Sequence, residues 1–242
     1  MRYGLQFLAG LALFGTAVAS DSLAQTAHVN FGWIVSIDAQ GHVTSIQPPP
    51  NQRLLDRLPQ MRQRIEQEIR TWQFVPGTVN HVPAPTETGL RVQCTLIGQS
   101  ANSIRIRIDR ASVGVRGVKT VVPRYSMSAA DRFASGEVVM KLDYDAGGRV
   151  VHLALVPTAP KVDSSLIAAA KRALRQWRFD PEIVGGHPLA GSSVVPVCFH
   201  LHHGEGKCDW KPVGSDHALQ NGETLALNPA AKLLTDVTGR TL

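Results

Sequence analysis

The feature that most constrains this chain is an internal repeat. Arg70-Thr71-Trp72-Gln73-Phe74-Val75-Pro76 reads like Arg175-Gln176-Trp177-Arg178-Phe179-Asp180-Pro181, and Trp72 and Trp177 lie 105 residues apart. The offset holds without gaps on both sides. Met61, Ile65 and Ile69 fall on Leu166, Ala170 and Leu174; Pro83 falls on Pro188; Leu90, Val92, Cys94 and Leu96 fall on Val195, Val197, Phe199 and Leu201. Further upstream, Ile37-Asp38-Ala39-Gln40-Gly41-His42-Val43 reads like Tyr144-Asp145-Ala146-Gly147-Gly148-Arg149-Val150 at an offset of 107. One connection therefore differs by two residues, as loops tolerate. Two matches in one order, at offsets that differ by only two residues, predict two copies of a single fold.

The second copy shows what that fold is. Val138, Met140, Leu142 and Tyr144 alternate as a half-buried strand does, Asp145-Ala146-Gly147-Gly148 supplies a turn, and Val150 to Val156 returns. Asp163 and two serines are N-cap residues. Leu166, Ala170, Leu174 and Trp177 then mark one helix face, and Pro181 closes the helical region. After Gly185-Gly186, Val195, Val197, Phe199 and Leu201 line a last strand. The unit is β–β–α–β. The fold class expected is α+β: two tandem modules, each a small antiparallel sheet packed on one helix. Trp177 and Phe179 sit where helix meets sheet, a place for large aromatics to close a small core. In the first copy the helix face is Leu58, Met61, Ile65, Ile69 and Trp72. Ile104, Ile106 and Ile108 alternate as an extra strand between the copies. Ala230 to Leu234 is compatible with a short helix. The boundaries expected are a leader at 1–24, modules at 25–98 and 123–212, a connecting strand or linker at 99–122 and a weakly structured tail at 213–242.

The leader follows from Arg2, the apolar run Leu5 to Ala19, and small residues that fit a cleavage site. The run is shorter than the roughly 20 residues a membrane helix needs. A cleaved signal peptide and a periplasmic protein are the expectation, with an uncleaved inner-membrane anchor facing the periplasm as the alternative. The net charge of +6 is spread along the chain. Nucleic-acid binding asks for a basic face interleaved with aromatics, which the sequence lacks.

Export permits disulfides, and the chain holds three cysteines, Cys94, Cys198 and Cys208. Cys94 aligns with Phe199 on the inward face of its strand. Cys198 points to the opposite face, and the loop with Gly204 and Gly206 can return Cys208 to it. His200, His202 and His203 lie nearby, so a zinc or copper site is the competing reading of the same cysteines. The expectation is a Cys198–Cys208 disulfide, a free Cys94, no metal and no cofactor. No Gly-x-Ser-x-Gly elbow, His-Glu-x-x-His helix or phosphate-binding loop is present, so no catalysis and no small-molecule substrate are expected.

The motifs of the second copy resemble a known family. Pro123-Arg124-Tyr125 opens it, Gly136-Glu137-Val138 begins a strand, and Asp145 to Gly148 turns the hairpin. Trp177-Arg178-Phe179-Asp180-Pro181 leaves the helix, and Pro196-Val197-Cys198-Phe199 lies in the last strand. In this order the segment is similar to the C-terminal domain of TonB-type energy transducers. The motif residues are Pro123, Tyr125, Gly136, Asp145, Gly148, Trp177, Phe179 and Pro181. Ser126 stands where the family usually has a second proline. The first copy resembles the domain only through the repeat.

The resemblance implies partner binding by strand addition, with Val194, Val195, Val197, Cys198, Phe199, His200 and Leu201 as the candidate edge. The competing expectation is that another strand already covers that edge. The partner implied is an envelope protein, an outer-membrane receptor among the candidates, with a second copy of the chain as another. Pro48-Pro49-Pro50 is a turn-sized run, and the leader has no histidine to couple to a proton motor. The binding module is therefore implied rather than force transmission. A structural protein of envelope integrity and a membrane-anchored partial transducer are the alternatives.

Overall fold

A computed structural model describes residues 25–48, 53–98, 104–158, 161–200, 210–215 and 217–242. The expected leader, Leu201, His202, His203 and Cys208 lie outside these residues.

The first half opens with β1 (Gln25–Ile37) and β2 (Val43–Gln47), then α1 (Arg53–Arg57) and α2 (Pro59–Ile69). Pro59 sits in the first turn of α2, where its missing N–H has no intrahelical partner to lose. Met61, Ile65 and Ile69, four apart, are the buried stripe. The chain leaves the helix through β3 (Phe74–Val75) and a small hairpin, β4 (Thr78–Val79) and β5 (Val82–Pro83). Asn80 and His81 turn that hairpin at φ 50° and 65°, as a tight two-residue turn requires. β6 (Thr86–Gly98) then runs antiparallel along the whole of β1. β7 (Arg105–Gly114) pairs with the other side of β6, and β8 (Arg116–Lys119) follows. Ile106 and Ile108 face inward, where their alternation put them.

The second half runs α3 (Met127–Asp131), β9 (Gly136–Tyr144), β10 (Val150–Leu155), α4 (Ser164–Leu174), β11 (Arg178–Asp180), β12 (Ile183–Val184), β13 (His187–Pro188) and β14 (Gly191–Phe199). The elements stand at the spacing of the sequence repeat. α2 and α4 each have 11 residues and begin at Pro59 and Ser164; β6 and β14 begin at Thr86 and Gly191. Asp163 caps α4 by accepting from Ser165 N–H at 2.8 Å. The chain closes with β15 (Leu225–Ala226) and β16 (Lys232–Leu233). The fold is mixed α and β, mostly antiparallel strands with few helices.

Two cores lie under the two longer helices. Trp33, Leu55, Ile65, Trp72 and Phe74 belong to the first; Leu166, Ala170, Trp177, Val195 and Phe199 belong to the second.

Three expectations need correction. The modules are not self-contained. β12 pairs with β6, Ile183 opposite Glu87 and Val184 opposite Thr86, so the second half's hairpin extends the first half's sheet. Glu182 secures the junction. Glu182 is 4% exposed, and its carboxylate accepts from Thr88 Oγ1 at 2.6 Å and Ala230 N–H at 2.9 Å. The tail is not weakly structured either. Ala231 and Val237 are buried in the first core, and Leu242 exchanges two backbone hydrogen bonds with Ile106. Residues 230–234 do not form a helix: Lys232 and Leu233 pair with Val75 and Phe74. Helix propensity is a weak prior, and here pairing with a distant strand overrides it.

Candidate functional site

β14 is built to be held firmly on one side. From Gly191 opposite Tyr144 to Phe199 opposite Gly136 it pairs with β9 without a break. Val195, Val197 and Phe199 reach the second core, and Val194 lies on the other face with Val139 and Leu219. Tyr125 meets Phe199 edge-on at 5.3 Å. Its hydroxyl is buried without a hydrogen-bond partner, and desolvation raises its pKa above the usual phenol value. Trp177 Nε1–H donates to Val121 O at 3.0 Å, joining the helix exit to the strand-opening segment. Asp145 accepts from Arg149 N–H at 2.8 Å and so fixes the β9–β10 turn. Gly136, opposite Phe199, and Gly148, whose carbonyl accepts from Phe179 N–H, stand with Asp145 in the frame that carries β14; Pro123 lies ahead of α3 and Pro181 follows β11.

The opposite side of β14 is occupied by the chain's own tail. Leu227 N–H donates to Ser192 O at 2.9 Å, and Ser193 and Val194 pair with Ala226 and Leu225. Gly222 N–H donates to Pro196 O at 2.8 Å, and Cys198 N–H donates to the Asn221 side chain at 3.0 Å. Pro196 itself has no N–H to offer there, a usual place for proline in an edge strand. The candidate edge Val194, Val195, Val197, Cys198 and Phe199 is therefore paired with β9 on one side and covered by the tail on the other as far as Cys198 in this conformation. His200 follows the strand, its Nε2 buried without a hydrogen-bond partner. β10, at the far end of the four-stranded sheet, has no strand on its outer side among the described residues.

The tail's seat comes from the first half. Glu223, 8% exposed, receives Arg91 at 3.1 Å, Arg110 at 3.2 Å and Gln93 Nε2 at 3.4 Å. Asn30 Nδ2 donates to the Gln220 side chain at 3.0 Å. Neither glutamate at the junction of the halves, Glu182 or Glu223, stood out in the sequence. The available signal was Asn221-Gly222 ahead of the short run Thr224 to Leu227, a turn followed by strand-forming residues.

Of the two described cysteines, Cys94 is free and buried, and Cys198 is not a free thiol. The expected partner of Cys198 lies outside the described residues. Among the described residues no group of three His, Cys, Asp or Glu side chains is placed to hold a metal. No described helix is long and apolar enough to cross a membrane.

Residues 121–201, which hold β14 and its frame, match the family described as the Gram-negative bacterial TonB protein C-terminal. This segment belongs to the TonB C-terminal domain family. Protein TonB of Xanthomonas campestris pv. campestris is 34% identical over 92 residues, covering 38% of this chain and 40% of that protein. Protein TonB of Vibrio cholerae serotype O1 is 30% identical over 109 residues, covering 45% and 43%. The chain thus spans less than half the length of these curated relatives. A solution NMR structure of the Pseudomonas aeruginosa TonB CTD aligns with 37% of this chain and 88% of that one, at 20% identity and a TM-score of 0.32. The TonB C-terminal family is one of energy-transducing and binding proteins, not of enzymes.

Proposed function

We propose that this chain is an exported, periplasmic protein-binding protein of TonB type, linked to TonB-dependent transport across the outer membrane. Its envelope partner adds an extended strand to β14. The observation that carries the reading is the family match over 121–201 together with the place of β14. It is the last strand of that segment, fully paired with β9 and covered on its other side only by a short stretch of tail. Strand addition takes its affinity from main-chain hydrogen bonds, so it needs an edge rather than particular side chains. The recurrence of helix, hairpin and last strand at the 105-residue spacing supports a duplicated module, the first copy having kept the fold's outline.

The test is a titration of the isotopically labelled chain with a peptide from the periplasm-facing segment of an outer-membrane receptor. Resonances of Ser192 to Phe199 should move. Perturbation confined to Val150–Leu155 of β10 would overturn the reading. A second reading, a structural protein of envelope integrity, draws on Glu182, which binds the two halves together, and on the covered β14 edge. It expects no receptor peptide to bind at all. N-terminal sequencing of the mature protein separates a cleaved leader from an anchor.

A further inference from the structure

We propose that the trough between β14 and the outer face of the first sheet is a strand-binding site selective for a carboxylate, and that residues 221–227 are its resident occupant. The inference rests on the strand-addition reading above and names the chemistry of the segment that fits.

Two walls make the trough. β14 supplies hydrogen-bonding groups at Ser192, Val194, Pro196 and Cys198, all used by the tail through its backbone or the Asn221 amide. These contacts discriminate little between sequences. The first sheet supplies the discrimination. Arg91 and Arg110 converge on one oxygen of Glu223, with Gln93 beside them. The Arg91 and Arg110 side chains are 31% and 20% exposed, so an occupant without a carboxylate at this point leaves two partly shielded cations facing each other unneutralised. Breaking such an arrangement by removing one partner is strongly unfavourable.

The resident segment fits incompletely. Arg110 Nε is buried without a hydrogen-bond partner, so one donor of the clamp is unused. Beside Thr224 to Ala226 lies a cavity of about 290 Å³, although at Gly114 the segment packs so closely that a Cβ would stand 2.5 Å from Ala226 Cβ. The segment is also held at both ends, by buried Leu219 on one side and buried Ala231 on the other. It can leave β14 by a local opening that spares both anchors. A tethered occupant competes at high effective concentration without needing high intrinsic affinity. A segment of another protein with a carboxylate at the Glu223 position and more bulk beside it uses the same contacts and fills more of the trough.

The probe is a fluorescent peptide of residues 219–228, titrated into the full chain and into the full chain carrying Glu223→Arg. The variant loses its resident carboxylate. It should bind the peptide at least about tenfold more tightly than the parent does, through loss of the tethered competitor. A peptide with Glu223→Gln should not show that gain. Equal binding of both peptides to both chains would overturn the proposal. Amide exchange in the unaltered chain gives a second readout, independent of how the variant folds. The Cys198 amide, which faces the tail, should exchange faster than those of Val195 and Val197, which face β9 by alternation, and added peptide should slow it. Exchange of all three amides at one rate, unmoved by peptide, would overturn the proposal too. A discriminating trough with no receptor binding sinks the proposed function alone; receptor binding with no discrimination between peptides sinks this inference alone.

Discussion

Gly148 and Phe179 approach so closely that no side chain fits between them. Phe179 N–H donates to Gly148 O at 2.9 Å, Gly148 has φ +72°, and a Cβ there would stand 2.0 Å from the Phe179 carbonyl oxygen. Gly41 and Phe74 repeat the relationship: the hydrogen bond is 3.0 Å, φ is +90°, and the Cβ would be 1.9 Å from the Phe74 oxygen. In each half this contact ties the hairpin turn to the helix exit. Gly148→Ala should therefore cost more than the roughly 1–2 kcal/mol of left-handed backbone alone, because the carbonyl must also move. Urea unfolding of Gly148→Ala and Gly41→Ala measures it. A loss below about 1 kcal/mol at either site, less than the backbone term, would show that the turn relaxes.

Trp72 and Trp177 are 1% and 4% exposed. Replacing either by alanine should cost about 3–5 kcal/mol, the usual range for a large buried aromatic. Phenylalanine separates packing from hydrogen bonding. Trp177→Phe leaves the Val121 carbonyl without its indole donor and should cost about 1–3 kcal/mol if that oxygen stays buried. Equilibrium denaturation of the three variants decides both points.

Tyr125→Phe should be neutral or slightly stabilising. The ring packs on Phe199 while the hydroxyl is buried without a partner, so removing the oxygen removes a desolvation cost and no hydrogen bond. A clear loss of thermal stability would mean that the hydroxyl has a partner in solution.

Asp163 gives an acid dependence whose sign is fixed. The Ser165 hydroxyl first, then the Ser165 N–H and Arg132, hold its carboxyl at about 2 in the fold, below its ordinary 3.8. A lowered folded value stabilises above the unfolded value and is lost as pH falls through the folded one. Stability should therefore drop from about pH 4 towards pH 2, and Asp163→Asn should show a smaller drop across that window. Identical melting curves against pH for parent and variant would remove Asp163 from the acid transition.

Thiol counting tests the cysteines. Burial first, and Asp109 second, push the Cys94 thiol up to about 12. It should resist labelling until the chain unfolds, since the thiolate is the reactive species. The Cys198–Cys208 pairing expected from the sequence requires that the unfolded chain without reductant yield one thiol and the native chain none. Two or three thiols reacting in the native state would reject the pairing and reopen the metal reading.

Elements written in short-range pattern were legible before the structure. The four-residue spacing of Leu166, Ala170 and Leu174 marked α4, alternation marked β9 and β14, and the Asp145–Gly148 turn marked the hairpin between β9 and β10. The two small hairpins show where legibility stops. Both were encoded at equivalent places, but only β12–β13 joins a neighbouring sheet, because the vacant stretch of β6 at Thr86 and Glu87 lies beside it. Local sequence does not specify such a neighbour. Glu223 was invisible for the same reason: its meaning depends on Arg91 and Arg110, more than a hundred residues earlier.

The last residues of the chain complete its earliest sheet. β16 pairs with β3, Val237 enters the core around Trp33, and Leu242 bonds to Ile106 on β7. Synthesis delivers these parts in the reverse of the order that domains usually follow, the N-terminal one finishing first. Here the N-terminal half must wait, with its apolar surface uncovered, until residue 242 has emerged. Nascent chains stopped before residue 230 should remain protease-sensitive in the first half. Resistance should arise in the first half only in chains long enough for residues 231–242 to reach β3, β7 and the first core.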